Sequence, residues 1–137
     1  MNISATQYRE MVKPKNKYGA VRSYRCKPCG AAVEQSRPCL ACGEVEQIKF
    51  ASKGEAKRYD VLRRMLDQGH IRDLELHPSY DLEVRGLKVC KATFDFRYVT
   101  HEGRLVIEEF KGVDQRHSKI TRKLFTALHG IEVDVIQ

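Results

Sequence analysis

Two sets of residues in this sequence carry chemistry in their type and spacing. The first is an acid on one strand and an acid-x-lysine on the next. Asp95 lies in residues 89–99 (VCKATFDFRYV), and Glu109 and Lys111 lie in residues 104–112 (RLVIEEFKG). Strand alternation sets Leu105, Ile107, Glu109 and Lys111 on one face and Val106, Glu108 and Phe110 on the other. Asp95 falls opposite the face of Phe94, Phe96 and Tyr98. A three-residue loop of His101, Glu102 and Gly103, bulged at the glycine, brings Asp95 across from Glu109. Two carboxylates directly opposite repel, and a divalent cation between them relieves the repulsion. Hard carboxylate oxygens suit Mg2+ or Mn2+. Such an ion polarises a phosphodiester and lowers the pKa of an attacking water. A lysine beside it orients that water or stabilises charge on the phosphate.

Glu55 is the fourth candidate. On a helix it falls in line with Tyr59, Leu62 and Leu66, on the core side. It has two readings. It is the third position of a capping box begun by Ser52, or it is a carboxylate pointing over the sheet toward Asp95 and Glu109.

The second set is Cys26, Cys29, Cys39 and Cys42, two C-x2-C pairs separated by nine residues, each pair followed by a glycine. Each pair can form a tight knuckle, and two knuckles supply four thiolates for a tetrahedral, structural Zn2+. Disulfides would need an oxidising compartment, which nothing in the sequence points to. An iron–sulfur cluster also takes four thiolates, but the paired-knuckle layout favours zinc. Cys90 stands apart and reads as a small core or strand residue.

The elements that position these residues follow from periodicity. Residues 52–69 have an apolar stripe at helical spacing and end on Gly69. Tyr80, Leu82 and Val84 alternate as a short strand after Pro78. Residues 89–99 read as one longer strand, paired as a hairpin with residues 104–112. Residues 114–130 read as a second helix with a stripe of Ile120, Leu124, Ala127 and Leu128. The last strand, IEVDVIQ, returns parallel to the second hairpin strand through this helical crossover. The fold class is α/β: an α-β-β-β-α-β core with a mixed sheet, plus a small zinc-ribbon or knuckle insertion. The domain reading is a basic arm over residues 1–25, a four-cysteine unit over 26–49 and the α/β core over 50–137.

The chain of 137 residues has a net charge of +7. A basic balance favours a polyanion partner, and nucleic acid is the usual one. Lys13, Lys15 and Lys17 concentrate charge in the arm, which either lies along phosphates or is a solvated tail. Lys119, Arg122 and Lys123 on the second helix have the same two readings. No apolar run approaches the ~18 residues of a membrane span, and the N-terminus lacks the pattern of a secretory signal. The expectation is a cytoplasmic protein with reduced thiols.

These residues resemble the PD-(D/E)XK nuclease superfamily, the restriction-endonuclease-like fold. Phe94–Asp95 stands for its Pro-Asp, with Phe replacing the proline, and EFK at 109–111 stands for its (D/E)-x-K. The sequence is similar, more closely, to a phage-encoded family of small nuclease-like proteins. NKYG at 16–19, FASKGEAKRY at 50–59 and IRDLELHP at 71–78 carry that likeness in order. The resemblance implies that Asp95 and Glu109 hold the catalytic metal, helped by the backbone carbonyl of Phe110, and that Lys111 positions the water. Glu55 resembles the helix-borne glutamate of archaeal-type Holliday junction resolvases, which are small basic homodimers cutting branched DNA. The implied function is an Mg2+- or Mn2+-dependent DNA endonuclease acting on branched DNA in phage recombination or replication. The alternatives are a non-catalytic zinc-containing DNA-binding protein, or a nuclease for linear DNA or RNA.

Overall fold

The structure is a computed structural model that describes residues 21–137. Lys13, Lys15 and Lys17 lie outside the described residues. The chain divides into two compact units after Lys53.

In the first unit, β1 (Ser23–Cys26) lies between β2 (Ala32–Val33) and β3 (Gln47–Phe50) in an antiparallel sheet. The residues assigned to the end of the arm are therefore a strand from Ser23 onward. Tyr24 pairs with Val33 on one side and Lys49 on the other, so β1 is held along both edges. Few large apolar side chains are available here, and polar bonds substitute for them. The Gln47 side chain donates to the carbonyls of Glu34 (2.9 Å) and Arg37 (2.7 Å) and accepts from the N–H of Ser36 (3.2 Å). One amide thus ties down the loop in which Ser36 takes a positive φ of 62°.

The second unit begins with α1 (Lys53–Asp67). Its end is a Schellman motif: the N–H of His70 reaches the Met65 carbonyl, the N–H of Gly69 reaches Leu66, and Gly69 takes the left-handed conformation (φ 76°). Then come β4 (Ile71–Leu76), β5 (Ser79–Val84), β6 (Leu87–Thr93), β7 (Phe96–Thr100) and β8 (Leu105–Phe110). The chain closes with α2 (Arg116–His129) and β9 (Val133–Ile136). The main sheet has the order β4-β7-β8-β9, with β8 and β9 parallel and the other pairs antiparallel. The class is mixed α/β, as the sequence implies.

The expected single strand over residues 89–99 is in fact two, β6 and β7, broken at Phe94–Asp95. The facing chain breaks at His77–Pro78. The two breaks are bonded to each other: His77 N–H donates to the Asp95 carbonyl and Phe94 N–H to the Pro78 carbonyl, both at 3.0 Å. They are one long antiparallel pair, bent in the middle. One half joins the main sheet and the other forms the separate β5–β6 ladder. Pro78 has no N–H to give a ladder, and His77 takes a φ of 53°. With each bent strand counted once, the order is α-β-β-β-α-β.

The two helices cover opposite faces of the main sheet. On one face α1 meets Glu108 through Arg58. On the other, Phe125 of α2 joins Leu82, Ala92, Phe94 and Ile107 in the core. Its ring lies 4.9 Å from those of both Tyr80 and Phe94, and Cys90 packs against the same cluster. Of the expected stripe of α2, Leu124 packs against this cluster, but the centre of the buried face is Phe125. Phe125 is fully buried, while Ile120 and Leu128 are 57% and 40% exposed. Arg122, ion-paired to Glu109 and Asp114, also lies on the inward side of the helix.

Candidate metal centres and active site

The two cysteine knuckles are built alike. Cys26 N–H bonds the Ala31 carbonyl and its carbonyl accepts from Gly30; Cys39 does the same with Glu44 and Gly43. Gly30 and Gly43 take φ of 77° and 79°, which is why a glycine follows each pair. Cys26 Sγ lies 3.5 Å from Cys42 Sγ, and Cys29 Sγ lies 3.5 Å from Cys39 Sγ. All five cysteines are free. Sulfurs about 2.3 Å from a tetrahedral zinc stand about 3.8 Å apart, so the cluster needs little adjustment to close on an ion. The backbone N–H of Cys42 brings the Cys39 thiol down to about 7, against the opposing effect of burial, and Ala41 adds a second N–H. Such N–H groups favour the thiolate, the form that binds metal. The four sulfurs form a cluster compatible with a structural zinc.

The second centre forms at the bend. The three-residue turn has the expected geometry: Thr100 N–H bonds the Arg104 carbonyl, Gly103 N–H bonds Thr100, and Gly103 has a φ of 86°. β7 and β8 then pair Phe96 with Glu108, and Asp95 N–H reaches the Glu108 carbonyl at 3.1 Å. That register sets Asp95 opposite Glu109. Asp95 Oδ2 accepts a 2.6 Å bond from the Phe110 N–H. Burial holds the Asp95 carboxyl above its usual range, and the charge of Glu109 adds to this; the Phe110 N–H, Lys111 and His77 oppose it.

Glu55, buried in the first turn of α1, reaches Asp95 from the side. Glu55, His77 and Asp95 each offer one ligand atom within 4.8 Å of the others, and His77 Nε2 is 3.9 Å from Glu55 Oε1. Glu109 is outside this group. Its Oε1 pairs with Lys111 Nζ at 2.9 Å and its Oε2 accepts from Arg122 at 2.8 Å; Arg122 also bonds Asp114 at 2.6 Å. Glu55 comes from the helix on one face and Arg122 from the helix on the other. Asp95, at the bend, lies within the field of both clusters.

Three residues escape a reading of the sequence. His77 is one; its signal is the proline after it, which interrupts a strand pattern. Glu108 and Arg58 are the others. Glu108, 2% exposed, accepts from Arg58 Nε (2.8 Å), Arg58 Nη2 (2.5 Å) and the Tyr98 hydroxyl (2.6 Å). Glu108 keeps Arg58 firmly protonated, and burial together with Glu108 pushes the Tyr98 phenol up. This network seats α1, and with it Glu55, against β8. Of the α2 cations Lys119, Arg122 and Lys123, Lys119 and Lys123 are exposed, whereas the Arg122 side chain is only 12% exposed and committed to two carboxylates. Among the described residues no helix is long and apolar enough to cross a membrane.

A mixed α/β core with a zinc-type cysteine unit before it is thus the class that fold and site define. Residues 43–134 match the model of DUF1064, described as a protein of unknown function, and the chain belongs to that family. The match begins just after Cys42, so it covers the bend and not the four cysteines. No curated protein and no solved structure matches the chain.

Proposed function

We propose that this chain is a metal-dependent DNA endonuclease of the PD-(D/E)XK type that hydrolyses phosphodiester bonds in branched DNA as a homodimer. A phage recombination or replication role in the cytoplasm of a bacterial host goes with that reading. The observation that carries it is the cluster at the bend, where the β7–β8 register sets Asp95 opposite Glu109, Lys111 pairs with Glu109 and Glu55 comes to Asp95 from a helix. Glu55 and Glu109 are buried, and holding two carboxylates out of water near Asp95 has a desolvation cost that a bound metal would offset.

In this reading Asp95 and Glu109, with the Phe110 carbonyl and Glu55, hold Mg2+ or Mn2+, which supplies charge to the phosphate and acidifies a bound water. The Phe110 N–H fixes one oxygen of Asp95 and so orients the carboxylate. Lys111, anchored at 2.9 Å on Glu109, is placed to hold a water or a phosphate oxygen next to the acids. Arg122 orients Glu109 from behind. Lys119 and Lys123 are exposed on α2, which supports a part for them against the DNA backbone.

The second reading is a non-catalytic zinc-bearing DNA-binding protein. Glu109 favours it, because Lys111 and Arg122 already neutralise it without a cation. A panel of four-way junction, flap, linear duplex and RNA, incubated with Mg2+ or Mn2+, separates the readings. Selective cutting of branched DNA is expected. Binding with no cutting of any substrate would leave the non-catalytic reading in place, and cutting confined to linear DNA or RNA would move the substrate class.

A further inference from the structure

We propose that Glu55, His77 and Asp95 form a mixed nitrogen–oxygen cation site that prefers a first-row transition ion such as Mn2+ over Mg2+. This deepens the nuclease reading by naming the class of its metal. It rests on a ligand set that the acid-x-lysine pattern does not contain.

The three residues come from three separate segments: the first turn of α1 and the two halves of the bend. One ligand atom of each lies within 4.8 Å of the other two, and His77 Nε2 is 3.9 Å from Glu55 Oε1. Two ligands about 2.1 Å from one ion stand about 3.0 Å apart when cis and about 4.2 Å apart when trans. The His77–Glu55 separation already falls in that span.

The main chain holds two of the three in place. His77 N–H is bonded to the carbonyl of Asp95 itself, at 3.0 Å, so the nitrogen and carboxylate ligands are cross-linked through backbone. Phe110 N–H fixes Asp95 Oδ2 at 2.6 Å. The His77 side chain is 45% exposed while that of Glu55 is 5% exposed, which leaves the histidine side open to an entering ion and its waters. Imidazole is a poor ligand for Mg2+, which demands hard oxygen donors, and a good one for transition ions. A histidine between two acids therefore shifts selectivity without adding charge. The competing arrangement is a protonated His77 paired with Glu55, which excludes a cation from that position.

The test is binding, read without DNA on the full-length, zinc-loaded chain. Mn2+ and Mg2+ titrations by calorimetry, with the Mn2+ spin-resonance signal as a second readout, give the two affinities. Mn2+ is expected to bind at least about tenfold more tightly. His77→Asn keeps a residue that tolerates positive φ and replaces the nitrogen by an amide oxygen. It is expected to weaken Mn2+ about tenfold while Mg2+ stays within about threefold. His77→Gly, which keeps the backbone conformation and removes the side chain, should do the same. Unchanged Mn2+ affinity in both variants overturns the site, and so does an equal affinity of the parent protein for the two ions. Because no cleavage is measured, failure here leaves the nuclease reading intact, and a chain that binds Mn2+ through His77 but never cuts leaves this site intact.

Discussion

Gly54 is the second residue of α1, and the Phe110 ring lies over it. A Cβ at Gly54 would overlap Cζ and Cε1 of that ring and stand 3.0 Å from Cε2. Two effects oppose each other in Gly54→Ala. Helix propensity favours alanine by about 0.5–1 kcal/mol. Overpacking costs about 1–3 kcal/mol. Phe110 is half-buried, so its ring can swing outward, which puts the cost in the middle of that range. The net expectation is a loss of about 1 kcal/mol, or about 5 °C in Tm for a domain of this size. Urea and thermal unfolding of the zinc-loaded protein measure it. The same substitution in a Phe110→Ala background should instead stabilise by about 0.5 kcal/mol, because the obstacle is gone and the propensity gain remains. Divalent-ion affinity should fall in Gly54→Ala although Gly54 offers no ligand atom, since this contact spaces Glu55 from the strand of Glu109. A Gly54→Ala protein more stable than its parent, with Phe110 present, would refute the reasoning.

Three further outcomes are expected. Glu108→Ala leaves Arg58 and Tyr98 facing an empty buried position and should cost about 3 kcal/mol in unfolding experiments. Asp95→Asn should stabilise the metal-free protein at neutral pH. Burial raises the Asp95 carboxyl in the folded state, so the ionised form opposes folding above that raised value; the gain shrinks as pH falls and vanishes below the unfolded value of about 3.9, which unfolding at pH 7 and pH 3.5 checks. Cys29→Ser should reduce bound zinc from one ion per chain to a small fraction, read by elemental analysis, with loss of dispersed amide signals from residues 23–50 while those of α2 persist.

The knuckles and the β7–β8 register were legible because each is local. A glycine after each C-x2-C pair and Gly103 in the turn fix those geometries within a few residues, and the opposition of Asp95 to Glu109 follows by counting. The bend was not legible. Residues 89–99 alternate as one strand, and only the facing Pro78 and the left-handed His77, a dozen and more residues away, break it. The role of Glu108 was not legible because its partner Arg58 lies 50 positions off. A helical wheel of α2 favours Ile120 and Leu128. Phe125 wins because the rings of Tyr80 and Phe94, from distant strands, pack on it. In each case the missing information was a long-range partner.

The most direct test of the central claim is cleavage of a four-way DNA junction by the parent chain, Asp95→Asn and Lys111→Ala, with junction binding followed on the same samples. The account predicts Mg2+- or Mn2+-dependent cutting that EDTA stops. Each variant should lose it while binding the junction nearly as well as the parent. Cutting at the parental rate by either variant would remove that residue from the site, and a parent chain that binds junctions but never cuts them with either ion would contradict the claim itself.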